Sequence, residues 1–454
     1  MPPNFLFLIA DDHRHNAIGS LGTPAVATPN LDALAAAGTA LTHTYIMGST
    51  SGAVCMPSRA MLLTGRSLFR VFSPNPDNVS PYPMDPEIQT FPELLRTAGY
   101  RTYGVGKWHN EPGLYARSFD DGASIFFGGM SEHAAVPVHT FHPHGVYPLD
   151  AATLGRGFSS ELFVDSAAEL LRAHPAERPF CMYVAFTAPH DPRTPPPEFV
   201  RRYPVSDIEL PPNFVPSHPF DNGELGGRDE QLATHPRDPD EVRRHIAAYY
   251  GMVSHLDAQI GRLLDELEAA GYADDTIVVY TADHGLALGQ HGLLGKQNVY
   301  DHSLRVPLII RGPDVPRDER RDGLCYLLDM FPTILDLAGL ELPEECEGLS
   351  LLPMIQGADL DVRESIFAAF QSDQELGVED SFQRAVRRGD WKLIETRAAG
   401  EQHNQLFNLG SDPWEMRNLT TQADQAERLD EMRGLMMHWR AVVGDTLPDE
   451  RTIR

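Results

Sequence analysis

The chain has 454 residues, of which 42% are hydrophobic and 22% charged, and this globular composition excludes a disordered, fibrous or membrane-bundle protein. Acidic residues outnumber basic ones by 64 to 37, and the formal net charge of -27 argues against nucleic acid or an anionic membrane as the main partner. An anionic substrate would therefore need a local positive pocket. Only three of the basic residues are lysines, namely Lys107, Lys296 and Lys392.

The N-terminal segment predicts a strand rather than a targeting signal. Phe5 to Ala10 are six consecutive apolar residues that run directly into Asp11 and Asp12, and no basic residue precedes them. A signal peptide has a basic region and a longer apolar run, and no stretch of the chain approaches the ~18 apolar residues of a membrane helix. Four cysteines are too few for a disulfide framework. We therefore expect a cytoplasmic protein that does not enter a membrane.

Short apolar runs alternate with longer amphipathic stretches over most of the chain, which is typical of helices packed on a largely parallel sheet. The predicted class is α/β, with a large mostly parallel sheet sandwiched by helices. In chain order we expect strands at 5–10, 100–105, 180–186 and 276–281. We expect helices from Thr28–Pro29 to Gly38, from the Thr90–Glu93 capping box to Gly99, at 159–173 and at 241–270.

Two segments interrupt this alternation. Residues 110–158 and 190–238 are rich in proline, histidine and glycine. We expect them to form long covering loops, and we expect the specificity for the substrate to reside there.

The character of the chain changes again near residue 360. Beyond it we predict strands at 365–370 and 391–394 and a closing amphipathic helix at 425–443. The sequence therefore predicts a catalytic α/β domain over residues 1–360 and a small α+β domain over residues 361–454.

Each of the four predicted strands is followed by side chains suited to metal binding or acid–base chemistry. The polar stretches are Asp11–Asp12, Gly106–His109, Thr187–His190 and Ala282–Gly285. In an open α/β sheet, ligands bind beyond the carboxyl ends of the strands, where loops and helix N-termini converge. One such stretch alone would more often be a turn or a helix cap, but four together predict an active site.

Two of these stretches supply a set of hard metal ligands. Three carboxylates and one imidazole suit a single divalent cation, Ca2+ in the first place, with Mn2+ or Mg2+ as alternatives. Salt bridges to arginines are the structural alternative, but adjacent carboxylates repel one another when no cation lies between them. The set comprises Asp11, Asp12, Asp283 and His284.

Cys55 is the candidate reactive residue. It lies among small polar residues just before Pro57, where we expect the start of a helix that ends near Gly65. The positive end of a helix dipole stabilises a thiolate and so activates a cysteine. Most cysteines are buried and inert, and we interpret Cys181, Cys325 and Cys346 in that way.

The stretch Cys55-Met-Pro-Ser-Arg59, followed by Leu63-Thr-Gly-Arg66, resembles the C-x-P-S-R signature of type I sulfatases, in the alkaline-phosphatase-like superfamily. The resemblance implies an alkaline-phosphatase-like fold and a hydrolase of sulfuric esters. It also implies that a formylglycine-generating enzyme oxidises Cys55 to formylglycine, which joins the metal ligands. The resemblance continues through Asp11–Arg14, Thr28–Asp32, Gly106–His109, Pro189–His190, Thr281–Gly285, His291–Lys296, Arg305–Ile309 and Leu406–Leu419.

The resemblance assigns a role to each matching catalytic residue. It implies that the aldehyde hydrate, flanked by Arg59, attacks sulfur and expels the alcohol. Lys296 and His190 would contact the sulfate and protonate the leaving oxygen, while Lys107 would steady the hydrate and the sulfate. His109 would take a proton from the second hydroxyl, so that sulfate leaves and the aldehyde re-forms. Independently, two of the three lysines fall in these motifs, as expected for compact charges that bind an oxyanion.

Two other functions stay open at this point. A phosphonate monoester or phosphodiester hydrolase of the same superfamily can use the same modified cysteine and a similar metal set. A catalytically silent binding protein would keep Cys55 as a thiol. The preferred substrate is a small organic sulfate, and the sequence does not distinguish a sugar, aryl or alkyl ester. A homo-oligomer is compatible with the sequence.

Overall fold

The computed structural model describes residues 2–23, 25–72, 84, 87–358, 361–371 and 381–445. Among these residues the strands are, in chain order, β1 (Asn4–Ala10), β2 (Thr39–Tyr45), β3 (Gly48–Ser49), β4 (Arg101–Lys107), β5 (Asp121–Phe126), β6 (Pro137–Val138), β7 (Thr153–Leu154), β8 (Phe180–Ala185), β9 (Thr276–Ala282), β10 (Arg305–Arg311), β11 (Glu319–Arg321), β12 (Cys325–Tyr326), β13 (Ser365–Gln371), β14 (Phe382–Arg388), β15 (Trp391–Ala398) and β16 (Glu401–Asn408). The helices are α1 (Pro29–Ala36), α2 (Cys55–Thr64), α3 (Phe91–Thr97), α4 (Pro112–Ser118), α5 (Ser159–Arg172), α6 (Pro197–Val200), α7 (Pro239–Ala269), α8 (Asp301–Leu304), α9 (Met330–Leu337), α10 (Leu352–Ile355) and α11 (Ala426–Val443).

A large, mostly parallel sheet forms the centre of the molecule. Its strands lie in the order β11-β2-β10-β9-β1-β8-β4-β5, and β12 also pairs with β2. The pairs that join β9, β1, β8, β4 and β5 are parallel, whereas β10 is antiparallel to β2 and β9. All seven residues of β1 are buried, as expected for a central strand covered on both faces. The predicted α/β class and the four predicted strands are confirmed.

Two groups of helices pack against this sheet. In the first group α7 contacts α1 and α5, and α5 lies on β4, β5 and β8. In the second group α3 contacts α2, α4 and α9, and its Phe91 ring lies 5.6 Å from the ring of Phe7 on β1. The long helix α7 begins at Pro239 because the Asp238 carboxylate caps it, accepting a hydrogen bond from the Glu241 amide at 2.8 Å. None of the described helices combines the length and the apolar character that crossing a membrane requires.

A second, smaller sheet follows in the chain, as predicted for an α+β unit. Its order is β16-β15-β14-β13-β3, and α11 packs on β14 and β15. The strand β3 comes from Gly48–Ser49, shortly before Cys55, and pairs in parallel with β13. The second sheet is thus tied to the segment that carries the candidate nucleophile. The predicted domain boundary at residue 360 lies outside the described residues and stays a prediction.

The two segments predicted as loops differ from one another. Residues 190–238 contain only short helical turns among irregular backbone, as expected. Residues 110–158 contain α4 and the edge strand β5, so the prediction of a loop is wrong there. The sequence of β5, Asp-Gly-Ala-Ser-Ile-Phe, has few strand-forming residues, and its hydrogen bonds to β4 determine its conformation.

Candidate active site

Four parallel strand ends meet at one edge of the large sheet. The strands β9, β1, β8 and β4 are consecutive neighbours, so the residues that follow them lie side by side. The amide of Asp283 donates to the carbonyl of Ala10 at 3.1 Å, and the amide of Asp11 donates to the carbonyl of Ala188 at 3.1 Å. Asp11 and Asp283 are therefore neighbours in space, although β1 and β9, which they follow, lie far apart in the sequence.

The helix α2 places Cys55 over these strand ends. Cys55 is its first residue and is 3% exposed, and the helix ends at Gly65 in a left-handed conformation with φ of 65°, as predicted. The hydroxyl of Ser58 donates to the carbonyl of Asp283 at 2.6 Å. Arg59 Nε donates to Asp283 Oδ2 at 2.9 Å, and Arg59 Nη1 donates to the carbonyl of Lys107 at 3.0 Å. The first turn of the helix is thus fixed to β9 and β4.

A buried group of four side chains could hold a metal ion. One possible ligand atom from each of Asp11, Cys55, Asp283 and His284 lies within 4.8 Å of every other. His284 Nε2 is 3.5 Å from Asp283 Oδ1 and 3.8 Å from Asp11 Oδ1. Asp11 Oδ1 and His284 Nε2 are buried without a hydrogen-bond partner among the described residues, as expected of atoms that bind a cation. The donor set therefore fits one divalent cation.

Asp12, the remaining predicted ligand, belongs to an overlapping group with Asp11 and His190. Its Oδ1 accepts a hydrogen bond from Lys296 Nζ at 2.9 Å and lies 3.2 Å from His284 Nδ1. Its φ of 66° is unusual for a residue other than glycine. This backbone conformation turns the chain sharply after β1 and brings both aspartates into the site.

The charges of the site shift the pKa values of its members in different directions. Burial alone would raise the pKa of the Asp11 carboxyl, but Lys107 and the other cations nearby hold it well below its usual range. Burial and the adjacent Asp11 raise the pKa of Asp283. Burial also works to raise the pKa of the Cys55 thiol, but Lys107 and Lys296 together lower it below its usual value. The site thus stabilises negative charge at residue 55.

Two of the three lysines lie in this site, as predicted. Lys107 Nζ donates to Asp11 Oδ2 at 2.5 Å and to the carbonyl of Gly129. Lys296 Nζ donates to Asp12 Oδ1 and is 2.8 Å from His190 Nε2. Burial alone would lower the pKa of Lys296, but Asp12 and other acids nearby raise it well above its usual value, so the ammonium stays charged.

The hydrogen bonds of His190 define its tautomer. Because the Lys296 ammonium can only donate, His190 Nε2 accepts the bond between them. His190 Nδ1 then carries the proton and donates to the carbonyl of Asp191 at 2.8 Å. The backbone carbonyl of His190 in turn accepts from His133 Nε2 at 2.9 Å. Both ring nitrogens of His190 are therefore occupied by hydrogen bonds.

His109 completes the set of sequence-predicted catalytic residues. It follows β4 with φ of 54°, and its ring packs closely on Gly129, where a Cβ would lie only 3.1 Å from His109 Cε1 and Nε2. Burial lowers the pKa of His109 well below its usual value, and the charge of Lys107 lowers it further. Its Nδ1 is buried and has no hydrogen-bond partner among the described residues. His109 is thus a neutral base with a free nitrogen.

A family model described as Sulfatase matches residues 3–340, which is about three quarters of the chain. The chain belongs to the sulfatase family. A second model, described as N-sulphoglucosamine sulphohydrolase, C-terminal, matches residues 289–441. The protein is therefore a hydrolase that acts on sulfuric esters, as the signature around Cys55 predicted.

Related proteins cover this sulfatase from end to end. It is 28% identical to N-acetylglucosamine-6-O-sulfatase of Bacteroides thetaiotaomicron, over 99% of this chain and 88% of the relative. A solved structure of a protein in complex with its substrate D-glucosamine-2-N,6-O-disulfate aligns with a TM-score of 0.82 and 25% identity, covering 99% of this chain and 100% of the other. The phosphonate monoester hydrolase of Agrobacterium radiobacter aligns with a TM-score of 0.78 and 23% identity, covering 97% and 96%. The predicted alkaline-phosphatase-like fold is confirmed.

The sulfatase site also contains polar residues that sequence reasoning missed. Asp229 lies 4.0 Å from Lys296 Nζ and accepts a hydrogen bond from Gln297 Nε2 at 3.0 Å. Arg228 pairs with both Asp229 and Asp191. These residues lie next to motif residues or inside the irregular segment 190–238, where no hydrophobic period marks a buried position. Only the adjacency of Asp191 to His190 and of Gln297 to Lys296 could have drawn attention to them.

Proposed function

We propose that this sulfatase hydrolyses a small organic sulfate monoester through a formylglycine hydrate made from Cys55. The observation that carries the proposal is the position of Cys55, buried at the N-terminus of α2 within one group of ligand atoms with Asp11, Asp283 and His284. Lys107 and Lys296 supply the positive charge that an acidic protein needs to receive an anionic ester.

We propose Ca2+ as the cation of this group, with Mn2+ or Mg2+ as alternatives. Asp11, Asp12 and Asp283 offer carboxylate oxygens, which suit a hard cation, and His284 and the modified residue 55 complete the set. When bound, such a cation favours ionisation of a neighbouring hydroxyl and neutralises charge on sulfate oxygens.

In the first step one hydroxyl of the hydrate forms a bond to sulfur while the bond from sulfur to the leaving oxygen breaks. Arg59 is fixed through Nε and Nη1, and its Nη2 is buried with no hydrogen-bond partner among the described residues, so it is free to donate to an anionic oxygen. The Lys296 ammonium is the proton source for the leaving alcohol, because His190 Nε2 carries no proton while it accepts from Lys296. A contact from His190 to the sulfate would need a proton on Nε2, and it stays a prediction from the sequence.

In the second step the sulfated residue 55 loses sulfate by cleavage of its carbon–oxygen bond. His109 takes the proton of the remaining hydroxyl, which becomes the carbonyl oxygen of the regenerated aldehyde, and addition of water restores the hydrate. A neutral His109 with a free nitrogen suits this role. Lys107, held by Asp11 and Gly129, stabilises the oxygens of the hydrate and of the sulfate.

Mass spectrometry and kinetics on the same preparation test this proposal. The protein is produced in cells that contain a formylglycine-generating enzyme, and the peptide that contains Cys55 is expected to lose sulfur and gain a carbonyl oxygen. The peptide that contains Cys181 is the internal control, because that thiol is fully buried in β8 and is expected to stay unmodified.

Kinetics then distinguish the two hydrolase chemistries. We expect a higher kcat/KM for an aryl sulfate than for the matching aryl phosphonate. A preference of several decades for the phosphonate would contradict sulfate hydrolysis, and an unmodified Cys55 in active protein would contradict the nucleophile. The cytoplasmic location, the maturation enzyme and the homo-oligomer stay predictions from the sequence.

A further inference from the structure

The turn that precedes Lys296 contains four residues with left-handed backbone conformations. Leu288, Gly289, His291 and Gly292 have φ angles of 47°, 95°, 56° and 74°. Glycine adopts such angles freely, but leucine and histidine do so only at a cost in free energy. A turn of this kind keeps its shape only where surrounding contacts fix it.

Glu230 and Arg237, both from the irregular segment 190–238, make contacts of this kind. Glu230 Oε1 accepts a hydrogen bond from the amide of Gly295 at 2.8 Å, and its Oε2 accepts one from the amide of Leu294 at 2.9 Å. Arg237 pairs with the same carboxylate, and its Nε donates to the carbonyl of Gly292 at 3.0 Å. The side chains of Arg237 and Glu230 are only 1% and 5% exposed, so water does not screen the pair.

The pair is itself anchored to the backbone of segment 190–238. Arg237 Nη1 donates to the carbonyls of Glu230 and Ala233 at 2.7 and 3.0 Å, and the Arg237 amide donates to the carbonyl of Pro216 at 2.7 Å. The carboxylate and the guanidinium therefore cannot shift without moving this backbone. They form a rigid bracket, Glu230–Arg237, around the turn.

The contact between the bracket and the turn leaves no room for a side chain at Gly292 or Gly295. A Cβ on Gly295 would lie 2.7 Å from Asp229 Cβ and 3.1 Å from Glu230 Oε1. A Cβ on Gly292 would lie 2.5 Å from the backbone nitrogen of His218. Glycine at both positions lets the turn approach segment 190–238 closely enough for its amides to reach the carboxylate.

The residue after Gly295 is Lys296, whose Nζ must reach Asp12 Oδ1 and His190 Nε2 together. A lysine side chain is a flexible four-carbon stem, so the position of its ammonium depends on the backbone from which it starts. We propose that Glu230 and Arg237 are positioning residues for Lys296, which act by fixing the backbone of residues 292–295. This inference rests on the catalytic role of Lys296 in the proposed function.

A double-mutant cycle tests the coupling between the bracket and the lysine. The four proteins are the wild type, Glu230→Gln, Lys296→Ala and the double variant, all carrying the modified residue 55. Glu230→Gln keeps the size of the side chain but removes the charge. The substrate is whichever of the aryl sulfate and the aryl phosphonate the wild type turns over faster, so the cycle is informative for either chemistry. The matched control is Asp445→Asn, which weakens the equally buried Arg384–Asp445 pair beside α11.

We expect Glu230→Gln to lower kcat/KM by about 10- to 100-fold, mainly through kcat, on the scale of an angstrom-sized misplacement of a catalytic group. In the Lys296→Ala background the same change should cost less than about 3-fold, because the group that it positions is already absent. Asp445→Asn should lower the melting temperature but change kcat/KM by less than about 3-fold in either background. Equal factors for Glu230→Gln in both backgrounds would overturn the proposal.

Hydrogen exchange supplies a readout that does not depend on activity. We expect faster exchange at the amides of Leu294 and Gly295 in Glu230→Gln, and no change there in Asp445→Asn. Unchanged exchange in Glu230→Gln would overturn the bracket even if the variant were inactive. Arg237→Lys serves as a second variant, in which the charge is kept but the bond to Gly292 is lost. By contrast, full activity in Lys296→Ala itself would contradict the proposed function rather than the bracket.

Discussion

Arg59 and Asp283 form a fully buried ion pair, with 2.9 Å between Nε and Oδ2 and no exposed surface on either side chain. The pair joins the first turn of α2 to the end of β9. It therefore links Arg59, one helical turn after Cys55, to Asp283, a candidate metal ligand. Burial lowers the pKa of Arg59 by itself, but the adjacent Asp283 raises it above its usual value, so the guanidinium stays charged. The same contact therefore stabilises the folded state and positions the side chains of the site.

Arg59→Lys is expected to weaken both functions of this contact. Lysine keeps the charge but carries it on one nitrogen, which does not reproduce the two separate donor atoms, Nε and Nη1, that contact Asp283 and the Lys107 carbonyl. We expect the free energy of unfolding to fall by about 2 to 4 kcal/mol and kcat/KM to fall by about 10- to 100-fold. Urea denaturation and steady-state kinetics measure the two effects. Arg384→Lys, in the buried pair with Asp445, should show the first effect without the second.

Cys55→Ala is expected to abolish turnover without unfolding the protein. The side chain is small, and alanine suits the first turn of α2, so we expect a loss of about 1 kcal/mol or less in the free energy of unfolding. Thermal denaturation and sulfate release are the measurements. Cys325→Ala removes another buried thiol, which lies 3.3 Å from Thr44 Oγ1 and is not one of the candidate site residues, and it should keep full kcat. Residual turnover in Cys55→Ala would show that another residue is the nucleophile.

The sequence was sufficient to place the site but not to complete it. Apolar runs at 5–10 and 276–281 predict parallel strands, and polar residues after parallel strands meet at one edge, which is why Asp11 and Asp283 could be brought together in advance. The strand β14 was not predicted, because it reads Phe-Gln-Arg-Ala-Val-Arg-Arg and two of its arginines are buried. Arg384 is buried with Asp445 as its ion-pair partner and the carbonyls of Phe370 and Gln383 as further acceptors, and such tertiary partners leave no periodic signal.

Glu230 illustrates the same limit inside the site. It is a buried carboxylate in an irregular segment, and its partners are backbone amides of the turn at 292–295. Composition predicted a covering loop there but no buried carboxylate, since charged residues are seldom buried without partners and a sequence does not display such partners. Segment 190–238 therefore supports the site as well as covering it.

Removal of the cation is expected to destabilise the protein. Without it, Asp11, Asp12 and Asp283 repel one another, and anything that binds only the folded state adds to its stability. After chelation and dialysis, we expect millimolar Ca2+ to raise the melting temperature by a few degrees, a shift of about 1 °C for each kcal/mol gained in a chain of 454 residues. Asp11→Asn should lose most of this response, whereas Asp165→Asn, on the surface of α5, should keep it. An equal response in both variants would place the cation elsewhere.

Buried histidines are expected to make the fold sensitive to mild acid. His218 Nδ1 donates to the carbonyl of His291 at 2.9 Å, and its Nε2 is buried with no partner among the described residues. Burial lowers the pKa of His218 from 6.5 to about 4, although the bond to the His291 carbonyl opposes the shift. Between these values the unfolded chain binds more protons than the folded one, so the free energy of unfolding falls as the pH falls from 6.5 towards 4.

At pH 5 this difference amounts to about 2 kcal/mol for one such histidine. Urea denaturation at pH 7 and pH 5 should therefore show a smaller acid-induced loss in His218→Asn than in the wild type. His438→Asn, at an exposed position of α11, should behave like the wild type. An identical loss in His218→Asn and the wild type would assign the acid sensitivity to other groups.

Lys296 and Lys392 are expected to respond differently when each is replaced. Lys296→Ala should lower kcat/KM by about 10² to 10³, the scale of losing one partner of a developing oxyanion. Lys392 Nζ instead bridges Asp301 Oδ1 and Glu415 Oε1 at 2.7 and 2.6 Å. It thereby joins β15 of the second sheet to Asp301 on α8. Lys392→Met removes the cation that Asp301 and Glu415 share, although Arg387 Nη1 still lies 3.6 Å from Asp301 Oδ2, and should cost about 3 to 5 kcal/mol in the free energy of unfolding.

Kinetics per folded molecule and urea denaturation separate these outcomes. Lys392→Met should keep kcat/KM within about 3-fold of the wild type, because the hydrogen-bond partners of Lys392 Nζ, Asp301 and Glu415, are not candidate site residues. Lys296→Ala should change the free energy of unfolding far less than Lys392→Met, because Arg59 and Lys107 continue to offset the charges of Asp11 and its neighbours. If Lys392→Met lost activity while still folded, the second sheet would contribute to catalysis directly, and the assignment of Lys392 to structure would be wrong.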